Sequence, residues 1–235
     1  MEQHKLTLEH GHILAYVDNT PWIIDTGSPI SFGDRPALNF LGRQYSIPQT
    51  NNGLGISQIN HLAGLSVTGL LGMDILSQHH SVFDLPSNTW QIHQEGFQVP
   101  ATNIPLSFIM GIPVVTVEAQ GQTCQFFLDT GSQIHYWNDT RLASQPAIGL
   151  FDDFYPGFGP FSTHLYPFSF AVGKHNFENQ AGVLPQLLAM PLKMAGVEGV
   201  IGNSIFLHDP VYFSPIHSSM SILSEQSTRM TQIGI

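Results

Sequence analysis

Trp22-Ile23-Ile24-Asp25-Thr26-Gly27-Ser28 returns a hundred residues later as Phe126-Phe127-Leu128-Asp129-Thr130-Gly131-Ser132. In each copy a bulky apolar run ends on an Asp, and an Ile stands two residues after the Ser, Ile30 and Ile134. The correspondence extends downstream: Gly69-Leu70-Leu71-Gly72 matches Gly199-Val200-Ile201-Gly202, and Val82-Phe83-Asp84-Leu85-Pro86 matches Val211-Tyr212-Phe213-Ser214-Pro215. At ordinary residue usage one Asp-Thr-Gly arises in about one chain in twenty of this length, and two in roughly one in a thousand. A duplicated half explains the repeat better than chance.

An Asp that closes an apolar strand is an unusual place for a charge, because a lone buried carboxylate shifts its pKa or takes a partner. Two such turns facing each other would be partners. Like charges in contact cannot both ionise easily, so the pair keeps one proton between them. One carboxylate can then act as base toward a shared water, and the other as acid toward a carbonyl oxygen. Gly27 and Gly131 allow the tight bend and close approach. Thr26 and Thr130 are expected to bond across the interface, and Ser28 and Ser132 to donate to the carboxylates.

Composition bounds the partners. The chain has 235 residues, 42% hydrophobic and only 10% charged, enough apolar material for a sizeable core. Seven basic against 17 acidic residues give a net charge of −10. That disfavours nucleic acid and anionic membrane as partners. No run is long enough for a membrane-spanning helix, since the longest nearly apolar stretch is Pro105 to Val117. The single cysteine, Cys124, excludes an intrachain disulfide framework and reads as a small buried hydrophobe. No signal peptide is visible, so the expected compartment is the cytoplasm. The 12 histidines read as scattered on the surface, where their protonation near pH ~6.5 would reverse the sign of the surface field.

Short β-branched and aromatic runs such as 12–17, 113–117 and 168–172, bounded by Gly, Pro or Asn, indicate an all-β fold. Helix is sparse: Ile56, Ile59 and Leu62 suit one short helix closed by Gly64, and Leu184, Leu187 and Leu188 another. The expected organisation is two β-rich lobes related by a pseudo-twofold axis. One spans 1–97 and the other 98–235, joined through a linker from Gln94 to Pro105.

The repeated hydrophobic strand, Asp-Thr-Gly-Ser and later hydrophobic-hydrophobic-Gly resemble the aspartic proteases, over about Leu6 to Ile222. Two motifs in one chain resemble the single-chain, pepsin-like enzymes, with lobes nearer the size of a retropepsin subunit; a compact form of bacterial type is implied. The resemblance implies an endopeptidase without cofactor or metal, acting as a monomer on a peptide or protein substrate. Asp25 and Asp129 would be catalytic, supported by Thr26, Gly27, Ser28, Thr130, Gly131 and Ser132. The first strand can begin almost at Met1, so no propeptide is expected.

The halves are unequal, as Gly72 follows Asp25 by 47 positions and Gly202 follows Asp129 by 73. The excess contains Phe151-Asp152-Asp153-Phe154-Tyr155 and Pro156-Gly157-Phe158-Gly159-Pro160, read as a hairpin over 151–172. By the resemblance this is a flap covering the dyad, with Tyr155, Gly157 and Phe158 at the substrate. Pepsin-like enzymes carry theirs in the first lobe, where this chain has only Arg43 to Gly55.

Other chemistry lacks an anchor: there is no H-E-x-x-H, C-x-x-C or G-x-S-x-G. His79-His80 reads as a solvated loop pair. Asn138-Asp139-Thr140 reads as a chance glycosylation match, and Asp74 and Asp84 as structural or exposed carboxylates. The alternatives to a general endopeptidase are a peptide-binding protein that kept the fold with little or no turnover, and a narrowly specific processing protease.

Overall fold

Strand pairing begins with local turns. The strands His12–Val17 and Thr20–Ile24 pair antiparallel, with Leu14 opposite Ile23 and Val17 opposite Thr20. They join through Asp18 and Asn19, both at positive φ (49° and 59°), as a two-residue turn matched to strand twist requires. Ile112–Ala119 and Gln122–Leu128 repeat this around Gln120 and Gly121, at φ 47° and 77°. The computed structural model describes residues 2–51, 53–93 and 103–223. The expected boundary between 97 and 98, and most of the expected linker, lie outside them. The fold is all-β with a few short helices.

Each hairpin delivers its second strand beside a hydrophobic-hydrophobic-Gly strand running parallel to it. Ile24 pairs with Leu71, and Leu128 with Ile201, immediately before the two Asp residues. On the other side of that strand the chain returns antiparallel, Phe32 against Leu70 and Tyr136 against Val200. Glycine is required at this crossing. A Cβ on Gly69 would lie 2.1 Å from the Trp22 ring, and one on Gly199 2.5 Å from the Phe126 ring.

The Val82 and Val211 repeats pair with each other. Val82 faces Tyr212 and Phe83 faces Val211, so equivalent positions exchange across the ladder. Around them runs a sheet shared by both halves, in which 80–84 also pairs with 89–93, 89–92 with 2–5, and 211–214 with 219–222. Phe83, Trp90, Phe206 and Phe213 fill one core beneath it, with Phe83 edge-on to Phe206 at 5.8 Å. Burial of large apolar side chains at roughly 1.5–3 kcal/mol each makes this shared core a main source of stability.

The expected helices form over Ile56–Ala63, closed by Gly64 at φ 66°, and over Gln186–Met194. The expected hairpin is present as strands Gly149–Tyr155 and Gly159–Val172. Its free part is shorter at one end than the expected 151–172, because from Tyr166 onward the second strand pairs instead with His175–Gly182. In the first half, 37–40 and 43–46 form a small hairpin, and 50–51 pairs with 54–55.

The histidines depart from the surface reading. His12, His79, His80 and His135 are buried, and His79 and His80 are not a solvated pair. His80 lies in a strand with its Nδ1 2.7 Å from Ser214 Oγ. Burial holds His12, His79, His80, His93, His135 and His175 below the usual histidine range. Half of the 12 histidines therefore take up a proton at lower pH than free ones, and the expected charge reversal is pushed to lower pH. Cys124 is buried, and no helix among the described residues is long and apolar enough to cross a membrane.

Candidate active site

The two Asp residues sit where a strand end meets the crossing strand. The Asp25 N–H donates to Leu71 O at 3.0 Å, and the Asp129 N–H to Ile201 O at 2.9 Å. Backbone donors then aim at each carboxylate: Ser28 N–H at Asp25 Oδ1, and Gly131 N–H at Asp129 Oδ1, both 2.9 Å. The two carboxyl groups lie close enough to act on each other although 104 positions separate them. A Cβ on Gly27 would lie 2.4 Å from both carboxylate oxygens of Asp129, and one on Gly131 2.8 Å from Asp25 Oδ2. Each glycine thus leaves room for the opposite half's carboxyl group.

Burial raises both acids above the usual carboxylate range. The Asp129 charge and the bond to it push Asp25 up further, against the N–H groups of Ser28 and Gly27. For Asp129, the Gly131 N–H and the bond to Asp25 oppose the rise. The direction is one shared proton that belongs to the pair rather than to either residue.

Thr26 and Thr130 fix that separation. The Thr26 N–H donates to Thr130 Oγ1 (2.9 Å) and the Thr130 N–H to Thr26 Oγ1 (3.0 Å). Each hydroxyl then donates across the interface, Thr26 to Leu128 O and Thr130 to Ile24 O, both 2.7 Å. All of these atoms are buried, which makes the four-bond lattice expensive to disrupt.

The serine hydroxyls do not donate to the carboxylates, contrary to expectation. Ser28 Oγ donates to Ile30 O and Ser132 Oγ to Ile134 O, each at 2.8 Å. A backbone carbonyl two residues on is a closer acceptor, so these hydroxyls shape the loop after each Asp. Asp74 is structural: its Oδ1 accepts from the Ser31 N–H and hydroxyl, and Ser31 Oγ accepts from Gly72 N–H at 2.8 Å. At the matching place His135 Nδ1 accepts from Gly202 N–H at 3.0 Å, leaving Nε2 to bond Ser204 Oγ at 2.7 Å. Different chemistry thus supports the same backbone. His135 is fully buried, with its pKa lowered to about 3.

The 149–165 hairpin reaches the pair. Tyr155 lies within electrostatic range of both Asp129 and Asp25. Phe151 and Phe161 pack on the second half's cluster around Ile134 and Leu165, whereas Phe154 packs on the first half's cluster around Phe32, Ile56 and Leu70. The hairpin therefore packs on apolar clusters of both halves. Gly157, at φ 82°, forms the turn after Pro156. Phe158 stands edge-on to Phe161 at 6.0 Å, and no interaction brings it to the carboxylates.

Sequence reasoning passed over Asp153, Tyr136 and His12. Asp153 Oδ2 accepts from the Tyr136 hydroxyl, its charge acts on Asp129, and His12 lies near it. Strand alternation puts Asp153 on the Tyr155 face and was the available signal. Among the described residues, no group of three or more His, Cys, Asp or Glu could hold a metal ion.

The sequence matches no protein-family model and no curated protein. Among solved structures, the chain is similar to the solution structure of Simian foamy virus (mac) protease. The identity is 15% and the TM-score 0.30, over 39% of this chain and 88% of that one.

Proposed function

We propose that this chain is an aspartic endopeptidase that hydrolyses peptide bonds through a water activated between Asp25 and Asp129. The observation that carries the reading is the juxtaposition of two carboxyl groups from the repeated turns, each against the opposite half's glycine and each held by a backbone N–H donor. A single proton on the pair provides an acid and a base at once. The ionised carboxylate takes a proton from water as its oxygen attacks the scissile carbonyl carbon. The protonated carboxyl gives its proton to the carbonyl oxygen, forming a neutral tetrahedral diol. Collapse breaks the C–N bond: the leaving nitrogen receives the proton first taken from water, and one diol hydroxyl returns its proton to the other carboxylate, which restores the singly protonated pair.

Both carboxylates come from one chain, so a monomer suffices. The 149–165 hairpin acts as the flap, closing over an extended peptide and excluding water, with Tyr155 as its contact above the pair. The apolar clusters on either side favour hydrophobic side chains at the cut. Digestion of an unfolded protein or peptide library between pH 3 and 7, read by mass spectrometry, tests this directly. Cleavage abolished in both Asp25→Asn and Asp129→Asn is expected. Peptide binding that survives both substitutions, with no cleavage at any pH, would identify a peptide-binding protein instead.

A further inference from the structure

On the strand Gly149–Tyr155 every second side chain shares a face. Phe151 packs on the second half's apolar cluster, Tyr155 lies within electrostatic range of the two acids, and Asp153 stands between Phe151 and Tyr155 along the strand. Its neighbour Asp152 is on the opposite face and exposed, and accepts from Ser162 Oγ at 2.5 Å. Asp153 Oδ2 accepts from the Tyr136 hydroxyl, and Oδ1 from the Phe154 N–H at 2.7 Å. The side chain is half-buried, and each oxygen has a further lone pair beyond the bond it accepts.

The surrounding charge is one-sided. A pair sharing one proton already carries a negative charge, and Asp153 acts on it from the hairpin. His12, within electrostatic range of Asp153, is kept toward its neutral form by burial. The ion pairs among the described residues, His4 with Glu2 and Arg141 with Asp139, lie elsewhere. A latch to the Tyr136 hydroxyl needs only an acceptor, which a neutral amide would supply without like-charge repulsion. The charge itself is left without a structural use. We infer that Asp153 is a specificity-determining residue that draws a cationic side chain, Lys or Arg, of the peptide substrate into the second-half wall beside the scissile bond. This rests on the endopeptidase reading.

The test is a set of peptides in which each residue flanking the cut is in turn Lys or its uncharged analogue norleucine. At one position Lys should raise kcat/KM over norleucine by about tenfold or more, as expected for a half-buried charge pair. Asp153→Asn, which keeps an acceptor for Tyr136, should bring that ratio close to one. Asp153→Lys should instead favour Glu over Gln at the same position. An equal Lys-to-norleucine ratio in the wild type and in Asp153→Asn, or no Lys preference at any position, would overturn the inference. If the wild type cuts none of the peptides, the endopeptidase reading fails. Dissociation constants of the same peptides then decide: a Lys preference lost in Asp153→Asn sustains the role of Asp153, and its absence refutes it.

Discussion

Thr26 and Thr130 exchange backbone-to-hydroxyl hydrogen bonds at 2.9 and 3.0 Å, and each hydroxyl passes a further bond to the strand that feeds the opposite Asp. Position and chemistry are thereby tied together, since the residue that sets each carboxyl group's place is bonded to the other half. Replacing Thr130 with Val keeps the shape and removes the hydroxyl. The Thr26 N–H and Ile24 O then lose their partners, at roughly 1–3 kcal/mol for each buried group. Thr130→Val should lower unfolding free energy by about 3 kcal/mol in urea titrations, and Thr130→Ser by less than about 1. Equal effects of the two would mean that the methyl group, not the hydroxyl, is what matters.

Gly27 and Gly131 face the opposite carboxyl groups so closely that a methyl group has no room. Gly27→Ala should therefore push Asp129 away from Asp25. Peptide cleavage should fall by at least about a hundredfold, as expected for a displacement near 1 Å at a reacting group. A Gly27→Ala protein that folds and retains wild-type kcat would show that the glycine is not needed for the pair.

Two opposed titrations act on stability. His135 has its folded pKa lowered to about 3 against an ordinary 6.5. Its contribution is therefore full above pH ~6.5 and is lost as pH falls toward 3, by about 2 kcal/mol at pH 5. The acid pair has the reverse sign. Its raised pKa favours the folded state below pH ~4, and that contribution is lost as pH rises through the folded pKa. Asp25→Asn removes the second effect, so it should raise the melting temperature at pH 7 and change it little at pH 3.5. A variant less stable at pH 7 than the wild type would contradict this.

Phe154 carries the hairpin's contact with the first half. Phe154→Ala should free the hairpin while leaving the shared core intact. Limited proteolysis within 149–165 should then become faster by about tenfold or more, with little change in melting temperature, because the lost contact governs local opening. Unchanged cleavage in that segment would place the anchor elsewhere.

The carboxyl pair could be read from the chain because Asp-Thr-Gly-Ser recurs with its apolar flanks, and turn chemistry is local. The all-β class and the helices near Ile56 and Leu187 followed from local pattern in the same way. Asp153 could not be assigned, since adjacent Asp152 and Asp153 differ only in which face of a strand they occupy. The serine hydroxyls were misassigned because the competing acceptors, Ile30 O and Ile134 O, appear only once the loop has bent. Burial of His80 and His135 was hidden for a related reason: their neighbours Ser214 and Ser204 are 134 and 69 positions away.

Carbon-13 NMR of labelled Asp25 and Asp129 carboxyl groups across pH 2–9 tests the central claim most directly. One proton should remain on the pair well above the ordinary aspartate range, with both signals moving together through that step. Two independent titrations, each near the ordinary value of 3.8, would mean that the groups do not share a proton.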